Sequence, residues 1–157
     1  MFSVRSAYYG ALQLYKAEPG GTCSDDSSNR RFWKHIWQIS VPPKVRHFVW
    51  RACRDILLTK RNLVQWNILQ DSLCEGCNQA EETAGHFFLR CPIARDLWQN
   101  SKWVFPVETE QCNSFKKLLW CLLMDDQPKL ELAAKVGTCA WALWHNRNEV
   151  WLGGVRK

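Results

Sequence analysis

Four side chains able to bind a soft metal fall within one short stretch: Cys74, Cys77, His86 and Cys91, in the pattern C-x2-C-x8-H-x4-C. Zinc takes four ligands in a tetrahedron and accepts both thiolate sulfur and imidazole nitrogen. The two close cysteines supply one half-site from a turn. The His86–Cys91 spacing supplies the other from one helical turn, or from a turn just before a helix. Gly76 and Gly85 flank the ligands and are expected to allow tight turns. With all four positions filled by protein, the metal has no open site for water or substrate, so its expected role is structural.

Two other chemistries compete for the same cysteines. A redox pair belongs beside a βαβ pattern, and none is visible. Disulfides need an oxidising compartment. The N-terminus, MFSVRSAYYGALQLYK, lacks the charged start, apolar stretch and small-residue cleavage site of a secretory signal. The expectation is therefore one structural Zn2+ in an intracellular protein. The other cysteines, Cys23, Cys53, Cys112, Cys121 and Cys139, have no metal-like spacing and read as free or buried thiols.

The elements that must hold these ligands are helical. Ser3–Ala17 carries apolar residues at i, i+3, i+4 spacing. Residues 18–29, EPGGTCSDDSSN, read as a flexible loop. A second helix carries Phe32, Trp33, Ile36 and Trp37 and ends at Ser40-Val41-Pro42-Pro43. Pro43 suits the first turn of a third helix, expected from Pro43 to about Leu57 with Val45, Phe48, Val49, Ala52, Cys53 and Ile56 on one face. Thr59 can cap a fourth, carrying Leu63 and Trp66. After the zinc loop, Pro92 opens a helix with Ile93, Ala94, Leu97 and Trp98. VFPVETE, 104–110, reads as a linker. Further helices carry Phe115, Leu118, Leu119, Leu122 and Leu123, and then Leu130 to about Trp151, interrupted only by Gly137. No alternating strand pattern is evident. The class is predominantly α with one zinc clip, and most of the ten tryptophans are expected in the core.

At 157 residues and 46% hydrophobic content the chain is large enough to bury a core, and no apolar run is long enough to span a membrane. Its net charge of +6 is uneven. From Arg30 to Arg61 nine basic residues face only Asp55. Such a block suggests a polyanion partner, RNA or DNA, met by Lys44, Arg46, Arg51, Arg54, Lys60 and Arg61. The zinc loop itself is acidic, with Glu75, Glu81 and Glu82 against Arg90, and should repel phosphate. Phe87 and Phe88 could stack on bases, but beside a ligand and before Leu89 they read as core. His35 and His47 read as helix-surface residues. Asp125-Asp126 closes a helix and carries no catalytic expectation. There is no nucleophile–base set, no phosphate-cradling glycine loop and no open metal site, so no enzyme is expected.

The ordered motifs FSVRSAYY (Phe2–Tyr9), Trp33-x3-Trp37, VPPKVRHFVWRACRDILLTKRNL (Val41–Leu63), C-x2-C-x4-ET-x2-HFF-x2-C (Cys74–Cys91) and Leu97-Trp98 resemble the zinc-binding domain of plant reverse transcriptases from non-LTR, LINE-like retrotransposons. The resemblance covers about Phe2 to Trp103. It implies Cys74, Cys77, His86 and Cys91 as ligands and a module downstream of a polymerase that engages template RNA or target DNA. AWALWHNRNEVWLGG (Ala140–Gly154) resembles the segment before a ribonuclease H domain in such polyproteins. The implied organisation is a zinc-binding domain at 1–103, a linker at 104–110 and a helical tail at 111–157. Leu58 stands where the family usually has proline. No polymerase palm, Tyr-x-Asp-Asp motif or ribonuclease H carboxylate set is present, so the expected function is a non-catalytic, retroelement-derived, nucleic-acid-binding module. The alternatives are a protein-interaction module using the C-terminal helices, or a remnant without a role.

Overall fold

The computed structural model describes residues 25–153. The expected helix at Ser3–Ala17, Cys23 and most of the 18–29 loop lie outside the described residues. Two compact units divide the chain, Met1–Arg30 and Arg31–Lys157, and the first falls almost wholly outside that range.

Six α-helices account for most of the described chain. They are α1 (Asp25–Gln38), α2 (Pro43–Cys53), α3 (Lys60–Gln65), α4 (Pro92–Asn100), α5 (Phe115–Leu123) and α6 (Leu130–Trp151). A single π-helical turn, His86–Arg90, precedes α4, and a 3-10 turn, Val107–Gln111, precedes α5. The only strand-like pairing among the described residues is an isolated bridge between Leu73 and Glu81. The expectation of a predominantly α protein is met. The helix α1 starts at Asp25, inside the stretch expected to be loop, and the 3-10 turn occupies much of the expected linker.

The core is built from helical stripes. Phe32 and Ile36 of α1 and Ile39 just past its end recur at i, i+4, i+7 and are fully buried. Val45, Phe48, Val49 and Ala52 do the same on α2, where Pro43 occupies the first turn. Ser114 caps α5, its hydroxyl accepting from the Lys117 N–H at 3.1 Å. Below that cap, Phe115, Leu118, Leu119, Leu122 and Leu123 are buried. From α6 come Ala133, Val136, Ala140 and Trp144, joining one continuous cluster with Phe88. A Cβ added at Gly137 would meet Val49 Cγ2 at 2.8 Å, so the glycine inside α6 permits a close approach to α2. Most apolar residues of the C-terminal helices thus face the core, while Trp151 and Leu152 are exposed.

Two expectations fail for a local reason. Helix α2 ends at Cys53 rather than Leu57, because Asp55 turns into the left-handed region (φ 54°) and Ile56 swings out to 43% exposure. The break is held by Asn62, whose buried Nδ2 donates to the carbonyls of Asp55 (3.0 Å) and Leu57 (2.8 Å). Thr59 caps α3 as expected, its hydroxyl accepting from the Asn62 N–H at 3.3 Å. Trp66 and Ile93, expected among the apolar residues of their helices, are exposed. Of the tryptophans only Trp144 is buried; Trp33, Trp98, Trp103, Trp120 and Trp141 pack around the core rim.

Candidate metal centre

The first half-site is a tight hairpin. The Cys74 N–H donates to Ala80 C=O (2.8 Å), and the Asn78 N–H returns to Cys74 C=O (2.7 Å). Asn78 takes the positive φ (53°) that closes the turn, a conformation asparagine tolerates better than most residues. Gly76 therefore serves space rather than conformation: a Cβ there would meet Ile93 Cδ1 at 3.2 Å and the sulfurs of Cys91 and Cys74 at 3.4 and 3.5 Å.

The second half-site is the π-helical turn. Thr83 starts it, its hydroxyl accepting from the His86 N–H at 2.9 Å. The Cys91 N–H closes it on His86 C=O at 2.7 Å, an i→i+5 bond that ties the two ligands together. Cys91 then becomes the residue ahead of Pro92 at the start of α4. Gly85 is helical (φ −62°), contrary to the expected tight turn. A side chain there would collide with the backbone carbonyl of Asn113, so Gly85 lets the loop press against the start of α5.

The donor atoms of Cys74, Cys77, His86 and Cys91 all lie within 4.8 Å of one another. Cys77 Sγ is 3.2 Å from His86 Nε2, and Cys74 Sγ is 4.0 Å from Cys91 Sγ. Zinc–sulfur and zinc–nitrogen bonds of about 2.3 and 2.0 Å in a tetrahedron place donors roughly 3.5–3.8 Å apart, so this set fits the ion with small adjustments. Cys74 and Cys91 are buried against Ala94, Phe87, Trp98 and Leu143, while Cys77 and His86 are half-buried. Burial, aided by the neighbouring sulfurs of Cys91 and Cys77, pushes the Cys74 thiol up to about 12 against hydrogen bonds from the Cys77 and Gly76 backbone. A thiol in that setting needs a bound cation to persist as thiolate. Burial also lowers the pKa of His86, favouring the neutral imidazole that ligates metal.

A polar clamp holds the loop to α6. The Arg147 guanidinium donates to Glu82 at 2.5 and 3.4 Å, and both side chains are nearly excluded from solvent. Glu82 also accepts from the Lys60 N–H at 2.9 Å. Arg147 is stacked between Trp144 (4.7 Å) and Trp151 (4.1 Å). The Trp151 indole donates to Glu75 at 2.7 Å. Sequence reasoning missed this clamp. Trp144, Arg147 and Trp151 lie at i, i+3, i+7 on one helix face, a legible signal; nothing marks Glu82 as their partner.

The basic block divides in the same way. Lys60, expected on a nucleic-acid surface, is only 8% exposed, and its ammonium is shared by Asp71 and Glu75 at 3.2 Å each. Arg46 is also turned inward, donating to the carbonyls of Ile39 (3.0 Å) and Val41 (3.3 Å) beyond the end of α1. Arg61 is exposed and 3.7 Å from Glu81. Lys44, Arg51 and Arg54 are exposed. Together with His47 they follow i, i+3, i+7, i+10 along α2 and onto its C-terminal cap, Arg54, one outward stripe opposite the buried face. His35, expected at the surface, is half-buried with Nδ1 enclosed and without a hydrogen-bond partner. Phe87 and Phe88 join the core cluster as expected, packed edge to face at 5.0 Å. Asp125 is exposed and paired with Lys129 at 2.6 Å, ordinary helix-end chemistry.

Helical fold and Cys3His cluster together define a domain with one structural zinc. The family model described as zinc-binding in reverse transcriptase matches residues 2–98, and the chain belongs to that family. It is also 26% identical over 125 residues to an Arabidopsis thaliana protein named "Putative ribonuclease H protein At1g65750", covering 80% of this chain and 18% of that protein. The chain thus spans less than a fifth of that relative. No solved structure matches it. No helix among the described residues is long and apolar enough to cross a membrane.

Proposed function

We propose that this chain is a non-catalytic module of a plant LINE-like retroelement lineage that binds RNA or DNA inside the cell. The zinc fixes the fold, and α2 presents the binding surface. The observation that carries the reading is the exposed stripe of Lys44, His47, Arg51 and Arg54, with no acidic residue on α2. Membership in the reverse-transcriptase zinc-binding family and the Arabidopsis relative support the retroelement origin. Three cysteine ligands support a reducing compartment, because they must stay as thiols or thiolates to hold zinc.

Binding through such a stripe is governed by release of counterions from phosphate. Three phosphate contacts give a log–log salt slope of roughly −2 to −3. The test is fluorescence anisotropy of labelled oligonucleotides over a range of salt concentrations, with wild type and the Lys44→Glu/Arg51→Glu/Arg54→Glu variant. The variant is expected to retain its zinc and circular dichroism and to lose at least tenfold in affinity. Unchanged affinity in a folded variant would place the surface elsewhere.

A further inference from the structure

The basic stripe does not stand alone. Trp37, on the neighbouring helix α1, is 44% exposed, and its ring meets His47 of the stripe edge to face at 5.6 Å. Lys34 lies one turn earlier on the same helix and is exposed. Lys34, Arg51 and Arg54 have no ion-pair partner among the described residues. An exposed aromatic side chain thus touches the basic stripe of one helix and shares its own helix with a further exposed cation.

We infer that this surface takes single-stranded nucleic acid in preference to duplex, with one base stacked on Trp37 while phosphates on either side meet Lys34 and the Arg51–Arg54 end of the stripe. The inference rests on the nucleic-acid reading above and adds the strand state. Its physical basis is the difference between the two ligands. A single strand offers free base faces, and stacking of a base on an aromatic side chain tolerates any sequence. In a duplex the bases are stacked on one another, and sequence-independent contact is made to the backbone. An exposed tryptophan can stack on a splayed base but not on one enclosed in a duplex. An exposed indole beside unopposed cations matches the first ligand and adds nothing for the second. His47 contributes by packing against the indole at a steep interplanar angle of 76°, and the ring remains 44% exposed.

The experiment compares a labelled single-stranded RNA, the single-stranded DNA of the same sequence, and the matching duplex DNA. The proteins are the zinc-loaded full chain and its Trp37→Leu and Trp37→Phe variants. Leucine keeps an apolar, helix-compatible side chain and removes the ring; phenylalanine restores a ring. The expected result is a loss of about five- to a hundredfold for single strands in Trp37→Leu, an unchanged salt slope, little change for duplex, and recovery of most of the loss in Trp37→Phe. Equal single-strand binding in Trp37→Leu and wild type would overturn the inference, as would an equal loss on duplex. Absence of salt-dependent binding by the wild type to any ligand would instead overturn the nucleic-acid reading itself. Circular dichroism and zinc content of each variant separate a lost contact from a lost fold.

Discussion

At the scale of single residues, the most consequential side chain outside the ligand set is Arg147. It lies far along the chain from the cysteines, yet it neutralises Glu82, the acidic residue most deeply buried in the zinc loop. Removing one partner of such a pair leaves an uncompensated buried charge, which costs about 3–5 kcal/mol. Arg147→Ala is therefore expected to lower the urea midpoint of the zinc-loaded protein sharply. The double variant Arg147→Met/Glu82→Gln should recover much of that loss, because it no longer buries a lone carboxylate. A single variant as stable as wild type would mean that the clamp contributes nothing. The ligands were legible in the sequence because metal chemistry restricts both residue type and spacing. Arg147 and Glu82 were not, since a long-range pair leaves no local period. Lys60 misled for the same reason: its charge is visible in the sequence, but Asp71 and Glu75, which hold it, identify themselves only through the fold.

At the scale of elements, hydrophobic period and proline position located the starts of α2, α4, α5 and α6, three of which begin with a proline or a capping serine. The misjudged boundary at Cys53 arose where a short-range rule was overridden. Asp55 enters the left-handed region because buried Asn62 satisfies the carbonyls that the broken helix exposes. The glycines were noticed, but for a turn role; Gly76 and Gly85 instead clear space for neighbouring atoms. Helices α5 and α6 lie beyond residue 98, where the family match ends, and they provide a large part of the buried core. Phe88, beside the ligand His86, packs on Phe115 at 5.2 Å and Trp144 at 6.2 Å. A fragment of residues 1–103 would expose Phe32, Val49 and Phe88, which pack on Trp120, Gly137, Phe115 and Trp144, at roughly 1.5–3 kcal/mol for each large side chain. Such a fragment is expected to lack cooperative thermal unfolding and to bind a hydrophobic dye even with zinc present. A sharp transition and a dispersed NMR spectrum would show instead that the first 103 residues fold alone.

At the scale of the whole molecule, zinc and core are one structure. The ligand cluster packs on Trp98 and Leu143, and Phe87, Phe88 and Trp144 form a ring-to-ring path from the metal loop to the main core. The loop's acidic side chains Glu75 and Glu82 are tied to Lys60 and Arg147, while Lys44, Arg51 and Arg54 face outward on α2. Charge is thereby sorted into an internal clamp and an external stripe, and the metal stabilises the scaffold that presents the stripe. The most direct test of this account is to strip the purified protein with a chelator while following bound zinc by elemental analysis and helix content by circular dichroism. The account predicts one zinc per chain, and loss of tertiary packing in step with loss of the metal, because binding energy at such a site is folding energy. Restored zinc should restore the fold, and Cys91→Ser should reproduce the stripped state. A metal-free protein with native helix content and an unchanged melting temperature would contradict it.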